Sequence, residues 1–450
     1  MANSEQFELG REQRKNVPLE AHAELNTDPD RPDPVDLLTA QDTMRLQELV
    51  PIRHGRMRVT PFTFYRGTAA IMASDLSRTA STDLRVQLCG DAHLSNFGVF
   101  NGPDRRLVFD VNDFDETAPG PFEWDLKRLA ASVTIAGRNN EFQGKDIRRA
   151  TRSSVRGYRE ILNETAHMSP LDVHYHRIEV DSLMARASKK RRKKMTKEVN
   201  KAIRKDSVRA LNKLTEVVDG ERKIVPAPPV VTRVDHLMAE ENRSRVEDFF
   251  TRYLESLPPH RAAVLRQYTF VDIARKIVGV GSVGTRCLIV LLEAPNGAPL
   301  FLQFKEATQS VLEQYAGNSE YEQAGERVVR GQKLMQATGD ILLGWSRYHH
   351  DDRAVDFYFR QLWDGKGSAE VDDMGPNRMK NYAWHCGAAL ALTHARSGMA
   401  ATISGYLGND KSVDRIFATF AERYADLNDI DYAAHEEAIE VGRVAVKDAV

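Results

Sequence analysis

Short apolar runs of strand character alternate along this chain with longer stretches of helical spacing, which predicts a mixed α+β protein. Arg85–Leu88 and Leu107–Val111 read as short strands, and Asn101-Gly102-Pro103-Asp104 between them is turn chemistry. Beyond Pro119-Gly120-Pro121 the period changes. Leu126, Leu129, Ala130 and Val133 fall on one face, so helices are expected from Trp124 to Leu162. Further on, Ile277 opens a glycine-bearing turn, Cys287–Leu292 is an apolar strand run, Pro295-Asn296-Gly297 turns the chain, and Leu300–Phe304 is the next run. Glu320–Gln336 returns to a helical period through Val328, Val329, Leu334 and Met335. Asp340–Trp345 and Phe357–Leu362 read as two more strands. The sum is a five-stranded antiparallel sheet with one inserted helix, closed by a glycine-containing crossover from Trp363 to Gly367. Asp36–Leu49, Arg243–Tyr268, Asn381–Ala395 and Asp414–Asp448 complete the helical pattern.

With 450 residues the chain exceeds one typical core, so two lobes are expected. Residues 1–35 are polar and proline-bearing, and should be loosely held. Residues 36–180 carry two acidic loops, and residues 181–230 form a basic helical insert ending in a Val225-Pro226-Ala227-Pro228-Pro229 linker. Residues 231–268 are helical, residues 269–366 make the glycine-loop lobe, and residues 367–450 supply the helical remainder. A net charge of −1 gives no global pull toward nucleic acid or membrane, and no apolar run reaches the ~20 residues that span a bilayer. Without a signal-peptide pattern, and with only Cys89, Cys287 and Cys386 at unpaired spacings, the expected location is the cytoplasm.

The chemistry concentrates between Leu88 and Leu129. L-C-G-D-A-H-L-S-N places Asp91, His93 and Asn96 on a loop after one strand, while Asp110, Asp113 and Asp115 crowd the end of another. Oxygen-bearing side chains gathered by a hairpin suit a hard cation with water and phosphate as co-ligands. Asp110 reads equally well as a turn former, and Cys89 reads as a small apolar residue closing a strand. Gly279, Gly281 and Gly284 form G-x-G-x-x-G, but between strands rather than ahead of a helix. That order argues against a dinucleotide fold and for a hairpin whose backbone N–H groups close over phosphates. The following strand delivers Lys305, which is expected to be enclosed and to need an anionic partner, a phosphate or a carboxylate; Glu322 or Glu326 could face it. Arg53, Arg56, Arg58 and Arg66 either grip phosphate or pair with nearby acids. The run Lys189–Lys194, extended by Lys197, Lys201, Arg204 and Lys205, lacks interleaved aromatics, so a solvated face is favoured over a nucleic-acid platform.

Taken together, the glycine hairpin, strand lysine, helix glutamate and crossover resemble the small lobe of the protein-kinase-like fold. G-D-A-H-L-S-N with N-D-F-D resembles the catalytic and metal loops of aminoglycoside and choline kinases. The blocks G-D-A-H-L-S-N-F-G, N-D-F-D-E and G-V-G-S-V-G-T-R, from about Arg53 to Ala433, also resemble an uncharacterised bacterial family, domain of unknown function 2252. The order of motifs is reversed, since the catalytic loop precedes the glycine loop. The resemblance therefore implies a two-lobed, circularly permuted kinase-like α+β fold. By position it implies Asp91 as catalytic aspartate, Asn96 and Asp113 as Mg2+ ligands with Asp115 assisting, and Asp125 as the structural aspartate of the next helix. Lys305 would be the phosphate-binding lysine. Gly279, Gly281, Ser282 and Gly284 would cover ATP, and the backbone near Gln361 and Leu362 would receive the adenine.

The expected activity is transfer of the γ-phosphoryl of ATP, with Mg2+, to the hydroxyl or amine of a small-molecule acceptor. Nucleotidyl transfer to a protein uses the same parts. A non-catalytic ATP- or RNA-binding module is the alternative from another class. The sequence identifies neither the acceptor nor an oligomeric state.

Overall fold

The structure, a computed structural model, describes residues 3–185, 192–193, 196, 211, 213–234, 243–350, 353–362 and 367–447. Apart from Arg192, Lys193 and Thr196, the basic run Lys189–Lys194 with its extension to Lys205 lies outside these residues, as does the crossover Trp363–Lys366.

Helix α1 (Asn3–Asn16) is followed by α2 (Pro34–Asp42), α3 (Val50–Met57), α4 (Pro61–Tyr65) and α5 (Ala69–Ser77). Strands β1 (Arg85–Leu88), β2 (Phe97–Asn101), β3 (Leu107–Val111) and β4 (Ala118–Pro121) lead into the long helices α6 (Phe122–Asn139) and α7 (Gly144–Thr165). Then come α8 (Pro170–Tyr175), β5 (Ile178–Glu179), α9 (Val180–Ala185), the hairpin β6 (Thr215–Val218) and β7 (Glu221–Ile224), and β8 (Val231–Arg233). Helices α10 (Arg243–Glu255) and α11 (Pro259–Leu265) precede β9 (Thr269–Lys276), β10 (Cys287–Glu293) and β11 (Pro299–Ala307). After α12 (Glu313–Ala316) and α13 (Ala324–Met335) come β12 (Gly344–His350), β13 (Arg353–Gln361) and β14 (Gly367–Ser368). Helices α14 (Pro376–His394), α15 (Ala400–Leu407) and α16 (Ser412–Glu440) close the chain.

The larger sheet is antiparallel and runs β12-β13-β11-β10-β9-β8. The expected five strands are there, with α13 inserted between β11 and β12. The sixth, β8, comes from a segment read as wholly helical. Alternation decides which side chains face where. Val290, Leu292, Leu302, Phe304, Phe357 and Phe359 pack outward under α10, with the rings of Tyr253 and Phe359 stacked 3.8 Å apart. The intervening residues face the other way: Phe301 packs with Leu214 and Ile224 beside the β6–β7 hairpin, and Lys305 meets Asp115 of the helical body. That body is built on α6, α7, α14 and α16 with the β1–β4 segment at one end. The expected strand at Asp340 begins only at Gly344. The Asp340 carboxylate accepts from the backbone N–H of both Leu342 and Gln361, and so caps a turn.

The N-terminal segment corrects its expectation. Helix α1 packs along α15, His22 Nε2 lies 2.6 Å from the Tyr406 hydroxyl, and Arg31 pairs with Asp75 at 2.6 Å and Asp431 at 2.7 Å. Specific contacts thus hold a segment whose polar composition suggested none. The close approach depends on Gly10, where an added Cβ would sit 1.9 Å from the Thr402 carbonyl oxygen. None of the described helices is long and apolar enough to cross a membrane, and all three cysteines are buried and free.

This contact makes a prediction. Gly10→Val cannot be accommodated by side-chain adjustment, because the obstacle is backbone. We expect a loss of roughly 1–3 kcal/mol in urea unfolding, with faster proteolytic cleavage within Asn3–Asn16. Wild-type resistance and stability in this variant would refute the docking of α1.

Candidate functional site

Asp91 follows β1 on a loop whose backbone is held from below. The N–H groups of Cys89 and Gly90 donate to the two oxygens of the buried Asp125 carboxylate, at 2.8 and 3.0 Å, and His394 Nε2 lies 3.1 Å from the same group. Asn96 Nδ2 donates to the Asp91 carbonyl at 2.8 Å, and the Asn96 carbonyl accepts from Asn112 N–H at 2.8 Å, which joins this loop to the next. The Asp91 carboxylate has one oxygen on Arg128, at 2.9 Å from Nε and 2.8 Å from a terminal nitrogen, and the other 3.5 Å from His93 Nε2. Arg128 in turn lies over the Tyr65 ring at 4.0 Å. Burial, helped by Arg66 and Arg128, pushes the His93 imidazole down to about 3, so it is neutral at physiological pH.

The second acidic group turns at the end of β3. Phe114 is buried, and this drives Asp113 and Asp115 outward on either side of it. Asp115 is the hub. It pairs with Lys305 Nζ, accepts from the Tyr358 hydroxyl at 2.6 Å and accepts from Ser282 Oγ at 3.2 Å. Asp113 lies 3.7 Å from Lys305 Nζ and keeps 30% of its side-chain exposure, whereas Lys305 keeps 2%. Burial raises Asp115, but the Lys305 charge and the bonds from Lys305 and Tyr358 outweigh it and hold that carboxyl well below its usual range. Burial lowers Lys305, and the two carboxylates reverse this and hold it charged. Burial and the neighbouring Asp115 raise Asp113. Asp110, buried within β3, is pushed up to about 6 by burial and accepts from the Val111 N–H at 2.9 Å.

The glycine loop spans 277–286 between β9 and β10, with Gly279 and Gly284 at φ of 67° and 96°. It is clamped to the N-terminal helices. Arg56 donates to Gly279 O at 2.6 Å, Arg45 to Val283 O at 2.6 Å, and Leu46 N–H to Gly284 O at 2.8 Å. Val280 packs with Leu38, Met57, Phe64 and Ile71, and Val283 packs with Leu49, Ile52 and Ile277. Anchored at both valines, the loop carries Ser282 onto Asp115.

So Asp113, Asp115, Ser282 and Lys305 come together, and Asn96 links the Asp91 loop to Asn112 beside them. Glu322 and Glu326 do not join. Glu326 pairs with Arg330 at 3.2 Å and Glu322 with Arg347 at 3.5 Å. On α13 the inward residue is Arg327, which pairs with Glu313 at 3.2 Å and donates to the carbonyls of Asp115 and Thr308 at 2.8 Å. One residue on a helix is a rotation of about 100°, enough to turn Glu326 outward. Gln361 N–H is taken by Asp340, Leu362 N–H donates to Phe301 O at 3.0 Å, and the Leu362 side chain packs with Phe301, Ile289 and Ile224. Beside them a small open cleft is lined by Asn101, Asn112, Gln336, Asp340, Arg360 and Gln361.

No cluster of three or more His, Cys, Asp or Glu suited to a metal exists among the described residues. Among the described residues there is thus no closed protein cage. Two part-exposed carboxylates, Asp113 and Asp115, with an amide in the adjoining loop fit Mg2+, which takes one or two carboxylates and completes its shell with phosphate and water.

The sequence reading missed Arg128 and Tyr358. Both left a signal. Arg128 is a charge on the apolar side of α6, one turn after Asp125. Tyr358 and Arg360 alternate on β13 directly opposite Lys305 and Gln303.

The sequence pattern of a bacterial family described as "Uncharacterized protein conserved in bacteria (DUF2252)" matches residues 45–438. The chain belongs to this family. No curated protein and no solved structure matches it.

The identity of the lysine's partner is directly testable. Removing one member of a buried pair costs roughly 3–5 kcal/mol, and the residual exposure of Asp115 with Asp113 close by should hold the loss for Asp115→Asn to roughly 2–3 kcal/mol. Glu326→Gln should change stability by less than about 0.5 kcal/mol. Denaturant titrations showing the reverse order would overturn the assignment.

Proposed function

We propose that this chain is an ATP- and Mg2+-dependent phosphotransferase acting on a hydroxyl or amine of a small molecule, on a kinase-like arrangement permuted in sequence. One observation carries the reading: Lys305, Ser282 of the glycine loop, and Asp113 with Asp115 meet across the gap between sheet and helical body. Those groups come from segments about 170–190 residues apart, and packing alone does not gather two carboxylates, a buried lysine and a glycine loop. Sheet order β12-β13-β11-β10-β9 with α13 between β11 and β12 supports it, as does Asp125 receiving the backbone of the Asp91 loop.

On this reading each group has a task that its surroundings permit. Lys305, charged and fixed against Asp115, exchanges part of that contact for donor phosphate oxygens. Ser282 and the loop backbone cover the same phosphates. Asp113 and Asp115, with Asn96, would hold the Mg2+ ion, which supplies charge neutralisation at the phosphates. Asp91 has one oxygen fixed by Arg128, and its other oxygen orients the acceptor and takes its proton. Neutral His93 adds no competing charge at that oxygen.

The decisive measurement is calorimetric titration of ATP with and without Mg2+, followed by a labelled-ATP assay on metabolite extract with product masses. We expect Mg2+-dependent binding that weakens in Lys305→Ala. In Asp91→Asn binding should persist while turnover falls by ~10²–10⁴. Absence of nucleotide binding in the wild type would sink the proposal, wild-type turnover in Asp91→Asn would remove Asp91 from its role, and a nucleotidylated product would redirect the reaction class.

A further inference from the structure

The arginine group that the sequence left open between phosphate and acid partners divides in the structure. Arg53 is buried against Asp42 at 2.6 Å, Arg58 reaches Glu436 at 3.3 Å, and Arg56 donates to the Gly279 carbonyl. Arg66 behaves differently. Its Nε is buried without a hydrogen-bond partner. Several other arginines share that feature at Nε, but Arg45, Arg53, Arg78, Arg275, Arg327 and Arg396 all use their terminal nitrogens on carbonyls or carboxylates. Among the described residues Arg66 makes no side-chain hydrogen bond and no ion pair.

Its position is informative. Arg66 ends α4 directly beneath the glycine loop, where a Cβ added to Gly281 would lie 3.2 Å from the Arg66 carbonyl oxygen. The guanidinium feels the charges of Asp91 and of the exposed Asp372, and is pressed by that of Arg56, without bonding to any of them. Asp91 is already neutralised by Arg128. Three arginines against two carboxylates, with His93 uncharged, leave this side of the cleft with a surplus of positive charge. A largely buried guanidinium without a partner is costly, and a doubly bonded oxyanion is the ligand that relieves it.

We propose that Arg66, with Arg56 beside it, is an oxyanion site between the glycine loop and Asp91 that takes a phosphate-type group. Under the phosphotransferase reading, on which the ligand's identity rests, that group is either the terminal phosphoryl of the donor or an acidic substituent of the acceptor. The surplus charge in either case disfavours a polycationic acceptor.

Inorganic phosphate is the probe. The full chain is titrated with it calorimetrically in three states: alone, with Mg-ADP, and with Mg2+ and a non-hydrolysable ATP analogue. We expect phosphate to bind the protein alone, and Arg66→Gln to weaken that binding tenfold or more, while Arg66→Lys retains part of it and both variants keep the wild-type melting temperature. Binding that survives the ATP analogue assigns the site to the acceptor. Binding present with Mg-ADP and lost with the analogue assigns it to the terminal phosphoryl. The proposal is overturned if the wild type binds no phosphate in any state, or if Lys305→Ala abolishes binding that Arg66→Gln leaves intact. Failure of nucleotide binding alone would remove the phosphotransferase reading and leave the nucleotide-free arm to decide this one.

Discussion

The ion pair between Lys305 and Asp115 is the constraint on which the rest of this structure depends. An ammonium with 2% exposure is tolerable only beside a carboxylate, and that carboxylate comes from the other side of the molecule. The alternation of β11 points Lys305 at the helical body, so the sheet cannot dock there unless the turn after β3 presents an acid. The Tyr358 hydroxyl and Ser282 Oγ also donate to Asp115, which ties β13 and the glycine loop to the same carboxylate. Arg327 reinforces the joint by bonding the backbone of Asp115 and Thr308. Local charge satisfaction and global docking are thus one requirement.

That requirement also explains the clamp on the glycine loop. A glycine-rich turn between two strands has little structure of its own, and its conformational entropy would oppose any fixed position. Here Val280 and Val283 are buried among side chains of the N-terminal helices, and Arg45 and Arg56 hold its carbonyls. The segment before the acidic loops therefore adds to the hold that Glu306 of β11 has on Arg286 at the loop's end. It holds the loop down over the cleft, and α1 and Arg31 hold that segment against α15, α5 and α16.

Much of this was legible in the chain. Arg85–Leu88 and Leu107–Val111 appear as strands at those limits, because turn residues bracket short apolar runs whose period leaves little choice. That Lys305 would be enclosed and would need an anionic partner followed from its residue type and its strand, although the acids expected to face it were Glu322 and Glu326 rather than Asp115. What stayed hidden was rotational and tertiary. Helical spacing could not say whether Glu326 or Arg327 pointed inward, and the N-D-F-D motif does not rank Asp115 over Asp113 as the lysine's partner. The docking of α1 depends on Gly10 meeting the backbone at Thr402, a contact that leaves no periodic trace. Asp340 looked like the start of a strand because its role, capping two N–H groups far apart in sequence, is set by β13.

Charge is divided unevenly across the cleft, and the division bears on how it could work. On the sheet side Lys305 and Arg360 face Asp113 and Asp115, a balanced set in which both carboxylates keep part of their exposure while Lys305 keeps almost none. On the loop side Arg128, Arg66 and Arg56 outnumber Asp91 and Asp372. The balanced side can accept a cation at Asp113 without first expelling a partner, whereas the other side lacks an anion. That deficit cannot be met by moving Asp115 across, since Lys305 would then be buried unpaired. Under the proposed reading the phosphate oxygens of the ligand meet the deficit on the loop side. A metal ion alone would add positive charge to a set already balanced, so it should bind more weakly than together with the phosphates that neutralise it.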